Sequence, residues 1–310
     1  MQSNPIAALG QKLSQSFWSK ARSELPYYLM FLPALLMIIG VMVPFCYGVY
    51  TSFTNTKLYI PDVQFVWLRN YIDLFSDRVF VNALLITVGY ALLIISIQIP
   101  LGLLVAQLLD VATPFREFFR SALVLPMLIP PIVAGLMWKT MMHPASGVLN
   151  WLLGSLGISP FPWLSDVKTA LFSIAVVDTW IFIPFAALIL LAGLQSVSVE
   201  ISEAARVDGA SNWQVFRYIQ IPSIVPYIFL VLMFRVADAL KAFELIYPTT
   251  RGGPLNATRV MNVMAYEEVF RWSSMGRAMA IIFVLWLISY TVSTYLVRSW
   301  QRSSSEVKGV

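Results

Sequence analysis

Glu203-Ala204-Ala205-Arg206-Val207-Asp208-Gly209-Ala210-Ser211-Asn212-Trp213-Gln214-Val215-Phe216-Arg217-Tyr218-Ile219-Gln220-Ile221-Pro222 is a polar interruption between two long apolar runs. Its residues read as helix, turn, helix. Gly209 supplies the backbone freedom of a tight turn, and Ser211 followed by Gln214 is a capping-box pattern that opens the second helix. Val215, Phe216 and Ile219 give that helix an apolar flank, with Arg217 and Gln220 polar. Pro222 and Pro226 stiffen or kink the entry into the next apolar run. A hairpin of this kind must bury its apolar side somewhere. It rests on a membrane surface or caps the bundle, or it docks in a groove of a soluble partner, and the residues alone leave these readings open.

The runs on either side set the fold class. The chain has 310 residues, 58% hydrophobic and 12% charged, with a mean hydropathy of +0.74. A soluble domain carries about a quarter of its residues as charges, so most of this chain belongs in lipid. Six stretches supply the roughly 20 apolar residues that a helix needs to cross a bilayer. They are Tyr27–Phe53, Phe80–Leu109, Phe118–Met141, Ala170–Leu194, Ile224–Tyr247 and Met275–Trp300. Runs this long satisfy their backbone in lipid as helices. The expectation is an all-α, polytopic bundle of six transmembrane helices.

The first span reads as a retained helix, since its run exceeds a signal peptide's apolar region and no small-residue cleavage site comes after it. Ahead of it, Ile6, Leu9, Leu13 and Phe17 recur at helical spacing beside Lys12 and Lys20, as in a helix lying on the membrane surface or in a plain tail. Basic residues on the N-terminal side (Lys12, Lys20, Arg22, Arg116, Arg120, Arg206, Arg217, Arg298, Arg302, Lys308) slightly outnumber those on the other (Lys57, Arg69, Arg78, Lys168, Arg251, Arg259, Arg271, Arg277). That leans toward both termini inside the cell. Ser146 to Leu153 is expected as a short interfacial helix outside, and Arg251-Gly252-Gly253-Pro254 as a turn cluster. The net charge of +5 is scattered, which argues against nucleic acid. Cys46 and His143 stand alone, so no metal site is expected. No P-loop motif is present, so ATP is not bound here through one.

The hairpin pattern E-A-A, three residues, G, nine residues, I-x-L-P resembles the signature loop of permeases in binding-protein-dependent ABC importers. Here it is Glu203-Ala204-Ala205, Gly209, then Ile219-x-Ile221-Pro222, with Ile221 in place of leucine, and Ser198 where carbohydrate-type members carry proline. The resemblance extends over roughly residues 79 to 297. Leu125-Pro126, Pro130-Pro131, Trp138-Lys139 and Gly147-Val148-Leu149-Asn150 are similar to the third span and adjoining loop of sugar permeases. Phe243-Glu244-Leu245-Ile246-Tyr247 with Thr250-Arg251-Gly252-Gly253-Pro254 resembles a segment of the maltose, glycerol-phosphate and lactose type, with Glu244 replacing aspartate. Tyr266-Glu267, Phe270 and Gly276-Arg277-Ala278 look like that family's approach to its last span.

The resemblance implies a type I importer permease fold in the cell inner membrane. It has an N-terminal tail (1–26), a first helix with an outer loop (27–78), a five-helix core (79–297) with a cytoplasmic coupling loop (195–222), and a cytoplasmic tail (298–310). It implies a heterodimer with a second permease subunit, two cytoplasmic ATPase subunits that hold ATP and Mg, none being held in this chain, and an extracytoplasmic solute-binding protein. Glu203, Ala204, Ala205, Asp208, Gly209, Ile219 and Pro222 would then form the ATPase-coupling loop, with Glu203 anchoring it. Gly252, Gly253 and Pro254 are the candidate outer loop.

Charges inside the spans mark a candidate path. Arg235, Asp238, Lys241 and Glu244 recur every third residue with alternating sign, so neighbours pair along one helix face. They line a translocation path or form a self-neutralising ladder. Asp178 and Trp180, with Asn82 and Gln98, are the other candidates, as ligand contacts or as helix–helix hydrogen bonds. The competing functional reading is a gradient-driven secondary transporter working without an ATPase. Against it stand the lack of a visible repeat and of paired broken helices. A non-transporting scaffold is a third reading, which the intramembrane charges disfavour. Trp151, Trp163 and Trp272 read as interfacial belt residues.

Overall fold

The computed structural model of the protein describes residues 30–111 and 115–308; the tail residues Ile6, Leu9, Leu13 and Phe17 lie outside them. In chain order the helices are α1 Met30–Ser52, then α2 Arg69–Ser76, α3 Arg78–Asp110, α4 Arg116–Val124, α5 Pro131–Met141, α6 Val148–Ser155 and α7 Ala170–Gln195. Next come α8 Val199–Val207, α9 Asn212–Val215, α10 Ile221–Leu240, α11 Ile246–Thr250, α12 Met261–Phe270 and α13 Met275–Lys308. Among the described residues β-pairing is confined to isolated bridges such as Thr54–Phe65.

The chain divides into two compact units, Met1–Thr51 and Ser52–Val310. In the first, α1 is a single helix of 23 residues, about 35 Å long. Most of its apolar side chains are exposed, while Phe45 and Val49 are half-buried.

In the second unit α3, α7, α13 and the helix running from α9 through α10 are each long and apolar enough to cross a membrane. The expected third span is not one straight helix. Glu117–Leu128 and Pro131–Met141 pass the same test together but meet at 92°. Two consecutive prolines explain the break, because Pro130 and Pro131 each lack an N–H and each force the preceding residue out of helical geometry. Ile129 and Pro130 accordingly take ψ of 124° and 134°. This supplies one broken helix, where a secondary transporter is expected to carry a matched pair.

The fifth span ends early. The apolar run reaches Tyr247, yet α10 stops at Leu240 and Lys241 is its C-cap. At the other end α13 runs 34 residues to Lys308, so the segment expected as a tail continues the last helix. At about 51 Å, that helix is longer than a bilayer core is thick.

The helices pack in two apolar layers. One joins Ile94 of α3, Ile181 of α7, Ala239 of α10 and Ile281 of α13; the other joins Ala106, Ala186, Leu190, Ile224 and Val231. Between α3 and α7 the backbones come close. A Cβ on Gly102 would lie 2.8 Å from the Cβ of Ala186. Small residues permit such approach where no hydrophobic force drives helices together. Interior prolines, Pro100 and Pro184, stand two residues before this crossing on each helix.

The candidate translocation cavity and the coupling hairpin

Polar residues fall between the two apolar layers. On α3 Gln98 lies between Ile94 and Ala106, and on α10 Arg235 lies between Val231 and Ala239. Arg235 is 1% exposed and Asp178 5%. The Arg235 guanidinium donates to Asp178 Oδ1 at 2.5 Å and, through Nε, to Gln98 Oε1 at 2.7 Å. Gln98 Nε2 donates to Asp178 Oδ1 at 2.7 Å, and the Tyr90 hydroxyl donates to Asp178 Oδ2 at 3.0 Å. Arg235 Cζ also sits 3.9 Å from the centre of the Phe182 ring. A buried charge is tolerated when it is paired and hydrogen-bonded on all sides, and this network joins α3, α7 and α10 in that way.

Above the network opens a cavity of about 380 Å³, lined by Tyr90, Pro131, Asp178, Phe182 and Arg235, and by residues 238 and 241–245. It brings together Asp178, Asp238, Lys241 and Glu244 of the sequence candidates. Trp180 is half-buried beside Trp138, ring centres 5.5 Å apart, and Asn82 is exposed on α3; neither lines the cavity.

The expected charge ladder holds only in part. Asp238 lies 3.5 Å from Arg235 and 3.9 Å from Lys241. Glu244 lies beyond the end of α10, is exposed, and makes no ion pair among the described residues. The ladder fails there because helical spacing ends at Leu240. Arg235 instead turns its main contact across to α7. Tyr90 and Phe182 carry no mark in the sequence, since an isolated aromatic in an apolar run gives no polar signal.

An ion network fixes the segment between α10 and α13. Arg259 and Arg271 contact Glu267 at 2.5 and 2.7 Å. Arg277 bridges Glu268, at 3.1 Å, and Asp77. Burial raises the Glu268 carboxyl above the ordinary glutamate range, and Arg277 and Arg259 oppose that rise. The turn cluster is placed here too. Arg251 and Gly252 take positive φ, a cis peptide joins Gly253 to Pro254, and Thr258 Oγ1 donates to the Gly253 carbonyl at 2.7 Å. Trp163 is half-buried, and its indole donates to Asn150 Oδ1 at 2.9 Å.

The hairpin is built from two helix-end devices. Gly209 has φ +91°, its N–H donates to Arg206 O at 3.0 Å, and the Ala210 N–H donates to Ala205 O at 2.9 Å. This 6→1 and 5→2 pair is a Schellman motif with Gly209 at C′. The capping box then forms in full: Gln214 N–H donates to Ser211 Oγ at 3.3 Å and Ser211 N–H to Gln214 Oε1 at 2.7 Å. Val215 is buried, whereas Val207 (87%) and Trp213 (67%) are largely exposed. From α9 the helix continues through a π turn, Phe216–Gln220, into α10 without a break, so Pro222 stiffens rather than interrupts it. Ile219 lies half-buried in that turn, and Glu203, Ala204 and Asp208 are exposed while Ala205 is half-buried. Glu203 makes no hydrogen bond or ion pair among the described residues.

Residues 98–303, from the polar network through the hairpin to the last helix, match the family described as the binding-protein-dependent transport system inner membrane component. The chain belongs to that family. It is a multi-pass membrane protein and a transport subunit, not an enzyme. It is 39% identical over 274 residues to the probable ABC transporter permease protein y4oQ of Sinorhizobium fredii, covering 88% of each chain. It is 33% identical over 277 residues to the trehalose/maltose transport system permease protein MalF of Thermococcus litoralis, covering 89% of this permease and 94% of that one. One chain of a bacterial ABC transporter involved in import of the acidic polysaccharide alginate superposes with a TM-score of 0.79 at 21% identity. That likeness spans 93% of this permease and 99% of the other chain, and it establishes the shared fold.

Proposed function

We propose that this permease imports a sugar or a sugar-like solute (an oligosaccharide, disaccharide, polyol or glycerol phosphate) into the cytoplasm by alternating access, driven by ATP hydrolysis in separate subunits. The carrying observation is the continuity of the coupling hairpin with the cavity. A capped hairpin with exposed Val207 and Trp213 leads through one unbroken helix to Arg235 and Asp238. A push on the hairpin is therefore delivered to the cavity lining as a helix movement.

In this reading Glu203 makes its anchoring contact with a cytoplasmic ATPase subunit. Ala204 and Ala205 allow close approach, and Gly209 sets the bend. ATP and Mg sit in two such subunits, a second permease completes a heterodimer, and a binding protein delivers solute from outside. Both termini face the cytoplasm. The relatives named for trehalose/maltose, sn-glycerol-3-phosphate and multiple-sugar transport support the solute class. The test is purification of the tagged permease from its native membrane with uptake assays in a deletion strain. A stable complex containing a P-loop ATPase, and ATP-dependent sugar uptake, are expected. Uptake sustained by an ion gradient without any ATPase would overturn the proposal.

A further inference from the structure

Neither the hairpin nor the ion network accounts for the aromatic residues at the outer end of the cavity. Phe243 borders the cavity. Its ring lies 5.0 Å from Tyr247 and nearly parallel to it, and 5.2 Å from Tyr266. Tyr247 meets Tyr266 at 4.7 Å, and Tyr266 meets Phe270 at 4.6 Å. Phe270 is 67% exposed, and the other three are half-buried. The rings thus run from the cavity to the surface. Because α11 and α12 connect the far end of α10 to the start of α13, that surface is opposite the hairpin. Phe243 and Tyr247 also pack on the apolar core, and each of the four rings keeps some open area.

The charges lining the cavity restrict what the rings can deliver to it. Asp178, Asp238 and Glu244 are three carboxylates against two cations, Arg235 and Lys241, at the cavity. Arg235 is committed to Asp178, and Lys241 lies 3.9 Å from Asp238. An anion therefore meets a net negative lining and the negative faces of the rings. Quaternary ammonium groups are typically held in enclosing aromatic cages, and these rings form a row. A saccharide has successive apolar C–H faces that match a row of π faces, with hydroxyls left for Tyr247 and Tyr266.

We propose that Phe243, Tyr247, Tyr266 and Phe270 form an extracytoplasmic stacking track that leads an uncharged saccharide into the cavity above Arg235 and Asp178. This rests on the sugar-import reading and adds a recognition surface to it. The experiment uses the complete transporter, with second permease, ATPases and binding protein, in proteoliposomes. The probes are labelled maltose, trehalose, sn-glycerol 3-phosphate and choline. The wild type is expected to take up maltose or trehalose. Phe270→Ala should lower that uptake about fivefold, in line with loss of one aromatic contact, while Phe270→Trp and the off-track Trp272→Ala stay near wild type. Wild-type uptake in Phe270→Ala overturns the track, as does equal loss in Phe270→Trp. Release of the second permease by Phe270→Ala would assign the ring to subunit contact and overturn it too. A wild type taking up only glycerol 3-phosphate or choline overturns the neutral class but leaves the importer intact. A wild type that recruits no ATPase fails at the importer reading itself.

Discussion

Arg235 and Asp178, 57 residues apart in sequence, meet at 2.5 Å between α10 and α7, with Gln98 of α3 bonded to both. With Gln98, the pair ties the helix that continues the coupling hairpin to α7 and α3 beside the cavity. Removing either member leaves a charge buried without its partner. Asp178→Leu or Arg235→Met should each cost about 3–5 kcal/mol of stability. The double variant Asp178→Leu/Arg235→Met should be closer to wild type than either single change. Thermal unfolding of the detergent-solubilised permease measures this, and simple additivity of the two singles would contradict the pairing.

Gly209 tests the hairpin. Beyond its two chain neighbours, no atom of the described residues lies within 4 Å of a Cβ placed there, so bulk is not excluded internally, but φ of +91° is unfavourable for any other residue. Gly209→Ala should cost about 1–2 kcal/mol locally and leave partial uptake. Gly209→Trp should abolish uptake while the protein still reaches the membrane, because the side chain projects into whatever docks on the hairpin. Uptake assays beside membrane immunoblots decide it, and normal transport in Gly209→Trp would sink the coupling assignment.

The crossing of α3 and α7 depends on Gly102. An alanine there would bring two Cβ atoms to 2.8 Å, and overpacking of this kind costs about 1–3 kcal/mol. Gly102→Ala should lower the unfolding temperature, and adding Ala186→Gly should restore most of the loss. If the second change gives no recovery, the close approach does not set the packing.

Orientation has a chemical test. In a Cys46→Ser background, Ser155→Cys on α6 should react with an impermeant maleimide in intact cells. Glu200→Cys on α8 should react only after permeabilisation. The opposite pattern would invert the topology assigned to the hairpin.

Much of the fold is legible in the sequence. Spans announce themselves because each must be apolar over its whole length, whatever it packs against. The hairpin is legible for a different reason. The Ser211–Gln214 capping box and the turn at Gly209 involve residues within a few positions of each other. Hydropathy fails where geometry changes without a change in polarity. Residues 241–247 look like more of the fifth span, but the helix ends at Leu240. The Pro130-Pro131 break is visible as two prolines, and only the fold sets its 92° angle.

The sequence by itself therefore determined the membrane bundle, the capped hairpin and the presence of costly charges in the spans, since each depends on composition or on neighbours in the chain. Tertiary structure alone decided that Arg235 pairs with Asp178 rather than along its own helix, that Tyr90 and Gln98 complete the site, and that Asn82 and Trp180 stand apart from it. Those choices depend on how α3, α7 and α10 are rotated against one another. That rotation is fixed by close contacts such as Gly102 on Ala186 and Gly193 on Tyr227, which join residues distant in sequence and carry no signal until the helices meet.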